Sequence, residues 1–297
     1  MEPRVSVSQI TTLRSSFADD IRAYAAAGLD GIGVWELKLG DGPDDEELEL
    51  LAGSGLDSAS AVPRVPSILP LPLLGGPDDP AERVEALCGS LERLAPFRPS
   101  GIVCLTGTGA GRDPDQAREL VVDGLRTLGR EAERLGLRIA LEPYQRAGGE
   151  LWSIVSSIPE AVALIEDAGD SPALGIQFDV WHLWNTPTLY DDIEAEVDRF
   201  AGVHVCDRRE PTRGWADRAL PGDGGADVPA ILRALDSAGW DGLYDIEIFS
   251  DDGTFGSEYH DSFWAAPPEE TLARALAAFE RCSTQTTPTP QEVEEAR

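Results

Sequence analysis

Four ionisable residues each interrupt a short apolar segment at or near its end. The segments read RIALE, LGIQFD, GVHVCD and LYDIEIF, and the residues are Glu142, Asp179, His204 and Glu247. A buried strand rarely carries charge, because removing an unpaired ion from water costs several kcal/mol or more. Four such residues in four successive segments therefore indicate one shared cause. A divalent cation is the simplest one, and three carboxylates with one imidazole suit a fairly hard cation.

Strand-like segments alternate with helical patterns along almost the whole chain. The strand-like segments are 5–9, 31–35, 58–62, 101–105, 138–142, 175–179, 202–206 and 243–248. The helical patterns cover 16–27, 45–52, 80–94, 114–135, 159–168, 189–200 and 228–238, with a closing helix over 267–281. Eight such units predict an α/β fold of the (β/α)8 TIM barrel type in a single domain. A doubly wound dinucleotide-binding sheet is disfavoured, because no G-x-G-x-x-G follows the first strand.

The barrel is predicted to occupy residues 1–282. The last segment, 283–297, reads STQTTPTPQEVEEAR and has almost no large apolar residues, so it is predicted to be a disordered tail. The glycine-rich segment 106–111 lacks the Lys-Ser/Thr pair of a phosphate-binding loop and is interpreted as a flexible βα loop.

The charge of the chain limits the kinds of molecule that it is expected to bind. The chain has 24 Lys+Arg against 54 Asp+Glu, a formal net charge of −30. Such a field repels nucleic acid and anionic membranes, so neither is expected as a partner. The four cysteines show no C-x-x-C spacing, and no leader or membrane-spanning pattern is visible, so a cytoplasmic location is expected. The sequence is compatible with a homo-oligomer.

Further candidate residues surround the four proposed ligands. His182 follows Asp179 in a D-x-x-H pattern, which places an imidazole just above the strand end, where it can hold a substrate oxygen or move a proton. Trp35, after the second strand, is a candidate for one side of the substrate site, and Lys38 is a candidate hydrogen-bond donor to the substrate. A surface lysine without such a role is the more ordinary interpretation of position 38. His260 is interpreted as a surface or lid residue. Aromatic residues that could stack on a sugar, or simply cover the barrel mouth, are Trp35, Tyr144, Trp152, Trp181, Trp184, Trp215 and Phe249.

The ordered set of motifs LEP (141–143), FDVWH (178–182), HVCD (204–207), GDG (222–224) and EIF (247–249) resembles the xylose-isomerase-like barrels. That superfamily includes sugar isomerases, ketose epimerases, inosose dehydratases and abasic-site endonucleases. The resemblance implies that Glu142, Asp179, His204 and Glu247 hold the metal, with Mn²⁺ the first choice and Mg²⁺, Co²⁺ or Zn²⁺ as alternatives. It also implies substrate contacts from His182 and from an arginine after HVCD, for which Arg209 is preferred to Arg208. Asp207 would orient Arg209 or approach the metal.

The chemistry shared by this family is proton abstraction next to a carbonyl through a metal-stabilised enediolate. The resemblance implies that Glu142 and Glu247 flank the substrate as base and acid in a metal-dependent isomerase or epimerase acting on a small sugar or keto-sugar. The alternative within enzymes is a lyase or dehydratase acting on a keto-inositol or a 3-keto-glycoside, including the cleavage of C-glycosides. A non-catalytic sugar-binding barrel is disfavoured by the intact ligand set. An abasic-site endonuclease is disfavoured by the three histidines and the strong negative charge.

Overall fold

Eight parallel strands close into a barrel in the computed structural model of the chain, which describes residues 3–71, 74–145 and 152–284. The barrel strands are β1 (Arg4–Ser8), β2 (Gly31–Trp35), β3 (Asp57–Val62), β4 (Gly101–Cys104), β5 (Ile139–Leu141), β6 (Leu174–Asp179), β7 (Phe200–Val205) and β10 (Leu243–Ile246). Each strand pairs with its neighbours in chain order, and β10 closes the barrel on β1. The predicted (β/α)8 barrel is therefore confirmed.

Helices follow the strands and surround the barrel. They are α1 (Phe17–Ala26), α2 (Asp45–Ser54), α3 (Pro80–Leu94), α4 (Pro114–Leu135), α5 (Ile158–Asp167), α6 (Val180–Leu183), α7 (Leu189–Glu196), α8 (Val228–Ala238) and α9 (Pro268–Thr284). The long helix α4 shows why the boundaries could be predicted. Asp113 accepts a hydrogen bond from the amide of Asp115, Pro114 occupies the first turn, and Gly136 ends the helix with φ 70°.

Three helical details differ from the prediction. Helix α7 ends at Glu196 rather than at residue 200, and a short 3-10 turn then leads into β7. Helix α6 was not predicted; it begins directly after β6 because the Asp179 carboxylate accepts a hydrogen bond from the amide of Trp181 at 2.7 Å. Helix α9 runs to Thr284, just past the predicted domain end, and residues 285–297 of the predicted tail lie outside the described residues.

The main apolar core fills the space between the barrel and its helices. Ile32 and Ile102 on the strands and Leu125 and Leu164 on the helices are all completely buried. None of the described helices is both long and apolar enough to cross a membrane.

The interior of the barrel is polar below the mouth. Ser6 donates a hydrogen bond to Asp245 at 2.9 Å, and Ser60 donates one to Gln177 at 2.9 Å. Gly33 leaves room for one of these groups, because a Cβ atom there would lie 2.2 Å from the Asp245 carboxylate. The polar layer supports the strand ends from which the candidate ligands project.

A small antiparallel hairpin, β8 (Asp207–Arg208) and β9 (Arg218–Ala219), folds the loop after β7 back over the barrel mouth. The amide of Arg218 also donates a hydrogen bond to the carbonyl of Phe249 at 2.9 Å. The hairpin thereby brings Arg218 next to the residues that end β6, β7 and β10.

Candidate metal centre

The four proposed ligands lie at the carboxyl ends of neighbouring barrel strands. Asp179 is the last residue of β6, and His204 lies one residue before the end of β7. Glu142 directly follows β5, where its amide donates to the carbonyl of Cys104 at 3.0 Å, and Glu247 directly follows β10, where its amide donates to Val205 at 3.1 Å. These backbone bonds extend the barrel ladder by one residue, so all four side chains project from rigid positions into the mouth.

The donor atoms of Glu142, Asp179 and His204 lie within 4.8 Å of one another, as a metal-binding group requires. From Nδ1 of His204 the nearest carboxylate oxygens are those of Glu247 at 3.3 Å, Glu142 at 3.7 Å and Asp179 at 4.0 Å. All four residues are buried, and neither imidazole nitrogen of His204 has a hydrogen-bond partner among the described residues. Carboxylate and imidazole donors with an unpartnered nitrogen facing them fit a divalent cation.

The electrostatics of the cluster reflect acidic side chains that are buried close together. Burial raises the pKa of Glu142 to about 7, although the neighbouring His204 opposes that shift. Burial alone would lower the pKa of His204, but Glu247 and Glu142 raise it to about 10. Burial would likewise raise the pKa of Asp179, and the positive charge of Arg218 reverses this and lowers it. Without a cation the cluster therefore retains a proton on His204 near neutral pH, and a metal ion must displace that proton.

Arg218 is the functional candidate that the sequence interpretation missed. Its Nη1 atom donates hydrogen bonds to Asp179 Oδ2 and Glu247 Oε2, both at 2.9 Å, and its side chain is almost completely buried. The signal available in the sequence was weak: an arginine four residues before the Gly222-Asp223-Gly224 motif, followed at once by the apolar pair Ala219-Leu220. Because the guanidinium faces two of the proposed ligands, Arg218 is placed to bind negative charge that develops beside them.

A cavity adjoins the cluster, and its walls are mainly apolar among the described residues. The charged groups in its lining are Glu142, His204, Arg218 and Glu247. The remaining lining residues are Trp35, Val62, Pro66, Leu74, Val103, Leu105, Tyr144, Trp152, Trp215, Phe249 and Phe255. Five of the seven aromatic residues singled out from the sequence thus meet at one cavity, and Phe255 joins them.

The other predicted substrate residues near the centre have different surroundings. Trp181 packs under Arg218, whose guanidinium carbon lies 5.3 Å from the indole centroid. His182 lies 3.7 Å from Asp179 and stacks on Tyr144, but it lines a separate cavity beside Gln145 rather than the one at the cluster. Burial lowers the pKa of His182 to about 3, so its imidazole is neutral.

Three predicted substrate residues lie in contacts away from the cluster. Lys38 is partly buried and donates to Asp20 at 2.6 Å and to the carbonyl of Thr12 at 2.7 Å. Arg209 donates to Asp217 at 2.8 Å in the loop that carries the hairpin.

Asp207 is the third. Its carboxylate accepts hydrogen bonds from the amides of Arg208, Gly224 and Ala226, so it shapes the loop. His260 is exposed, as expected for a surface residue.

Comparison with known proteins decides the family. The family model described as xylose isomerase-like TIM barrel matches residues 21–282. The chain belongs to this family. The resemblance inferred from the motifs is thereby confirmed for the fold and for the superfamily, whose members include sugar isomerases and epimerases.

Two curated relatives are enzymes by name. A protein of Streptomyces coelicolor named putative hydroxypyruvate isomerase is 27% identical over 239 residues, which cover 76% of this chain and 82% of that protein. The 3-dehydroshikimate dehydratase of Pseudomonas putida is 31% identical over 170 residues, which cover 54% of this chain and 24% of that enzyme. This chain therefore spans only about a quarter of the length of the dehydratase.

Solved structures share the barrel over nearly the whole chain. A Sinorhizobium meliloti protein of 23% identity has a TM-score of 0.82, with 94% of this chain and 98% of that chain covered. The IolI protein with a bound zinc atom is 19% identical and has a TM-score of 0.74, with 96% of this chain and all of that chain covered. The 3-keto-D-glucoside 4-epimerase of E. coli is also 19% identical and has a TM-score of 0.70, with 93% of this chain and all of that chain covered. At these identities the likeness shows the fold.

Proposed function

We propose that this protein is a divalent-metal-dependent isomerase or epimerase that removes a proton next to the carbonyl of a small sugar or keto-sugar. The observation that carries the proposal is the convergence of Glu142, Asp179 and His204 within 4.8 Å at the barrel mouth, with Glu247 alongside. Membership of the xylose isomerase-like family and the isomerase and epimerase names among its relatives support it.

Glu142, Asp179, His204 and Glu247 would hold the cation. A bound divalent cation would polarise the substrate carbonyl and stabilise the negative charge that forms when the neighbouring proton leaves. Mn²⁺ is the first choice, because a mainly carboxylate set with a single imidazole suits a hard to intermediate cation; Mg²⁺, Co²⁺ and Zn²⁺ remain alternatives.

The residues that would transfer the proton are Glu142 and Glu247. Glu142 follows β5 and Glu247 follows β10, so they reach the cavity from different sides of His204. Burial raises the pKa of the Glu142 carboxyl in the metal-free cluster to about 7, and a carboxylate in such surroundings is a stronger base than one in water. One glutamate removes the α-proton and the other returns a proton. Arg218 stabilises the developing oxyanion with its guanidinium.

The cavity walls favour a ring as substrate. The apolar face of a sugar ring stacks well on Trp35, Trp215 or the stacked pair Tyr144 and Trp152, whose ring centroids are 5.4 Å apart. An extended open-chain polyol would leave several hydroxyl groups against hydrocarbon, each costing about 1–3 kcal/mol if it found no partner. We therefore expect cyclic keto-sugars to bind better than open-chain ketoses.

This apolar cavity also supports a second candidate, a lyase or dehydratase. The same proton abstraction leads to elimination when a leaving group lies β to the carbanion. A keto-inositol or a 3-keto-glycoside provides both the ring and the leaving group, and the partial similarity to a dehydratase is consistent with this reaction.

Deuterium incorporation tests both candidates together. Protein loaded with Mn²⁺ is incubated in D₂O with ketoses, 3-keto-glucosides and inososes, and each sugar is examined by NMR and mass spectrometry. The proposal expects carbon-bound deuterium next to a carbonyl in at least one of them. Recovery of an unsaturated ketone would identify the lyase, and recovery of an epimer or isomer would identify the isomerase. No exchange with any of them argues against enolisation of these substrates.

Glu247→Gln is the sharpest single variant for this proposal. It removes a ligand charge and a candidate acid or base, so exchange should fall by at least about 100-fold. Glu82→Gln, at an exposed position of α3, is the matched control and should retain full exchange. Exchange retained in folded Glu247→Gln would remove this residue from the proposed mechanism.

A further inference from the structure

Asp245 lies behind the candidate ligand His204, on the side away from the carboxylates. The two residues are directly opposite each other on the paired strands β10 and β7. Oδ2 of Asp245 is 3.7 Å from Nε2 of His204. Because the barrel register sets this arrangement, it depends on two backbone positions rather than on a mobile loop.

Neighbouring residues inside the barrel accommodate the carboxylate of Asp245. Asp245 is 1% exposed, and its Oδ1 accepts a hydrogen bond from Ser6 Oγ at 2.9 Å. Its other oxygen, Oδ2, occupies the space that a side chain at Gly33 would fill. Among the described residues this Oδ2 has no hydrogen-bond partner. A buried carboxylate oxygen without a donor is costly, so its position calls for a reason other than packing.

His204 offers the complementary group. Its Nδ1 faces the carboxylates of Glu247, Glu142 and Asp179, whereas its Nε2 faces Asp245. A neutral imidazole carries one N–H and one lone pair. If Nδ1 supplies the lone pair to a cation among the three carboxylates, Nε2 must carry the hydrogen, and Asp245 is the acceptor within reach.

We infer that Asp245 is a positioning residue for the metal centre: it accepts the Nε2–H of His204, holds the imidazole in one tautomer and directs Nδ1 towards the cation. This inference rests on the proposed metal site. Carboxylates that hold the distal N–H of a metal-bound histidine commonly change metal affinity by about 10- to 100-fold when they are removed. Asp245 thus extends the site below the barrel mouth, to a residue that is not part of the cavity lining.

Metal affinity of the intact chain tests the inference without any substrate. Wild type, Asp245→Asn, Asp245→Ala and the control Ser60→Ala are titrated with Mn²⁺ and with Zn²⁺ by calorimetry, using a competing chelator where binding is tight. Ser60 is in the same interior layer but contacts Gln177 instead. Both Asp245 variants should bind about 10- to 100-fold more weakly, and Ser60→Ala should bind like wild type. A thermal scan of each metal-free protein separates this loss from unfolding.

A second measurement on wild type keeps the inference testable if the Asp245 variants fail to fold. The sequence contains only three histidines, so ¹⁵N-histidine NMR of the Zn²⁺-loaded protein is readily assigned. The expected spectrum has a proton on Nε2 of His204 and none on Nδ1. Zinc on Nε2, or unchanged affinity in folded Asp245 variants, would overturn the inference and leave the proposed function intact. Wild type that binds neither metal would overturn the metal site and this inference together.

Discussion

Two clusters of buried charge lie on this barrel, and they differ in how completely they are satisfied. In the structural cluster, formed by Asp20, Lys38, Gln9 and Thr12, the Asp20 carboxylate accepts hydrogen bonds from the other three side chains at 2.6–3.0 Å. In the cluster of proposed ligands, called the metal cluster below and formed by Glu142, Asp179, His204 and Glu247, both nitrogens of His204 lack a hydrogen-bond partner among the described residues. The members of both clusters are buried, apart from Lys38, whose side chain is 6% exposed.

The difference shows that buried charge alone does not mark a functional site. The sequence suggested Lys38 as a donor for substrate, yet its ammonium group donates to Asp20 and to the carbonyl of Thr12 within the structural cluster. In the metal cluster Arg218 pairs with Asp179 and Glu247, but the His204 nitrogen that faces the carboxylates has no hydrogen-bond partner among the described residues, and an arriving cation would satisfy it. An unpartnered imidazole surrounded by carboxylates, rather than buried charge alone, therefore distinguishes the proposed site.

The largest expected effect comes from a ligand of the metal cluster. Asp179→Asn removes the charge of one proposed ligand, so metal affinity should fall by more than the roughly 100-fold typical of an outer residue. Because Asp179 also accepts from Arg218 and from the amide of Trp181, the metal-free protein should lose some thermal stability as well. Calorimetric titration and a thermal scan measure the two quantities. Asp179→Asn that folds and still binds metal as tightly as wild type would contradict the assignment of this cluster as the metal site.

The next largest effect is expected in the structural cluster, where a substitution should lower folding stability and leave metal affinity unchanged. Lys38→Met leaves the Asp20 carboxylate buried without its cation, which should cost about 3–5 kcal/mol of folding free energy. Metal affinity should be unchanged, because Lys38 does not contact the metal cluster. Urea unfolding and metal titration of the same variant provide the test. The double variant Asp20→Asn/Lys38→Met should recover part of the lost stability, since it leaves no unpaired charge.

The pH dependence of stability should also separate metal-free from metal-loaded protein. Burial raises the pKa of Glu142 and of Asp245 to about 7 from ordinary values of 4.5 and 3.8, and the carboxylates raise that of His204 from 6.5 to about 10. In each case the folded state holds its proton more tightly than the unfolded state. The stabilisation is complete below the unfolded pKa and is lost as the pH rises through the folded pKa.

Metal-free protein should therefore melt at a lower temperature at about pH 9 than at about pH 6, and the increase in melting temperature caused by Mn²⁺ should grow with pH. Scanning calorimetry in matched buffers measures both. A metal-free melting temperature that rises over this range would show that the three groups do not retain protons in the way the cluster geometry implies.

The smallest effect is expected at Arg209, which the family resemblance implied as a substrate contact. Because Arg209 pairs with Asp217 in a partly exposed loop, Arg209→Ala should change deuterium exchange by at most about fivefold, the equivalent of the about 1 kcal/mol of an exposed ion pair. Arg218→Ala should reduce exchange far more. The reverse order of the two variants would support the choice made from the sequence.

The sequence was sufficient where the signal is local. The barrel strands were visible as short apolar runs bounded by glycine and proline, and their predicted ends differ from the observed ones by two residues at most. The proposed ligands were visible because each interrupts such a run. Polar residues that conflict with their immediate neighbours can be recognised without knowing the fold.

The sequence was insufficient where a partner is distant along the chain. Arg218 reaches Asp179 only because β8 and β9 form a hairpin of two-residue strands, which is too short to leave a pattern. Asp245 faces His204 only through the register of β10 against β7. Lys38 finds Asp20 through the packing of the chain after β2 against α1. Each of these contacts is tertiary and leaves no local trace.

The most direct test of the metal centre is anomalous diffraction from crystals soaked in Mn²⁺. One strong peak is expected at the barrel mouth, about 2 Å from Nδ1 of His204 and from carboxylate oxygens of Glu142, Asp179 and Glu247. A map with no peak among these four residues, from crystals whose protein retains deuterium-exchange activity, would contradict the proposed metal centre.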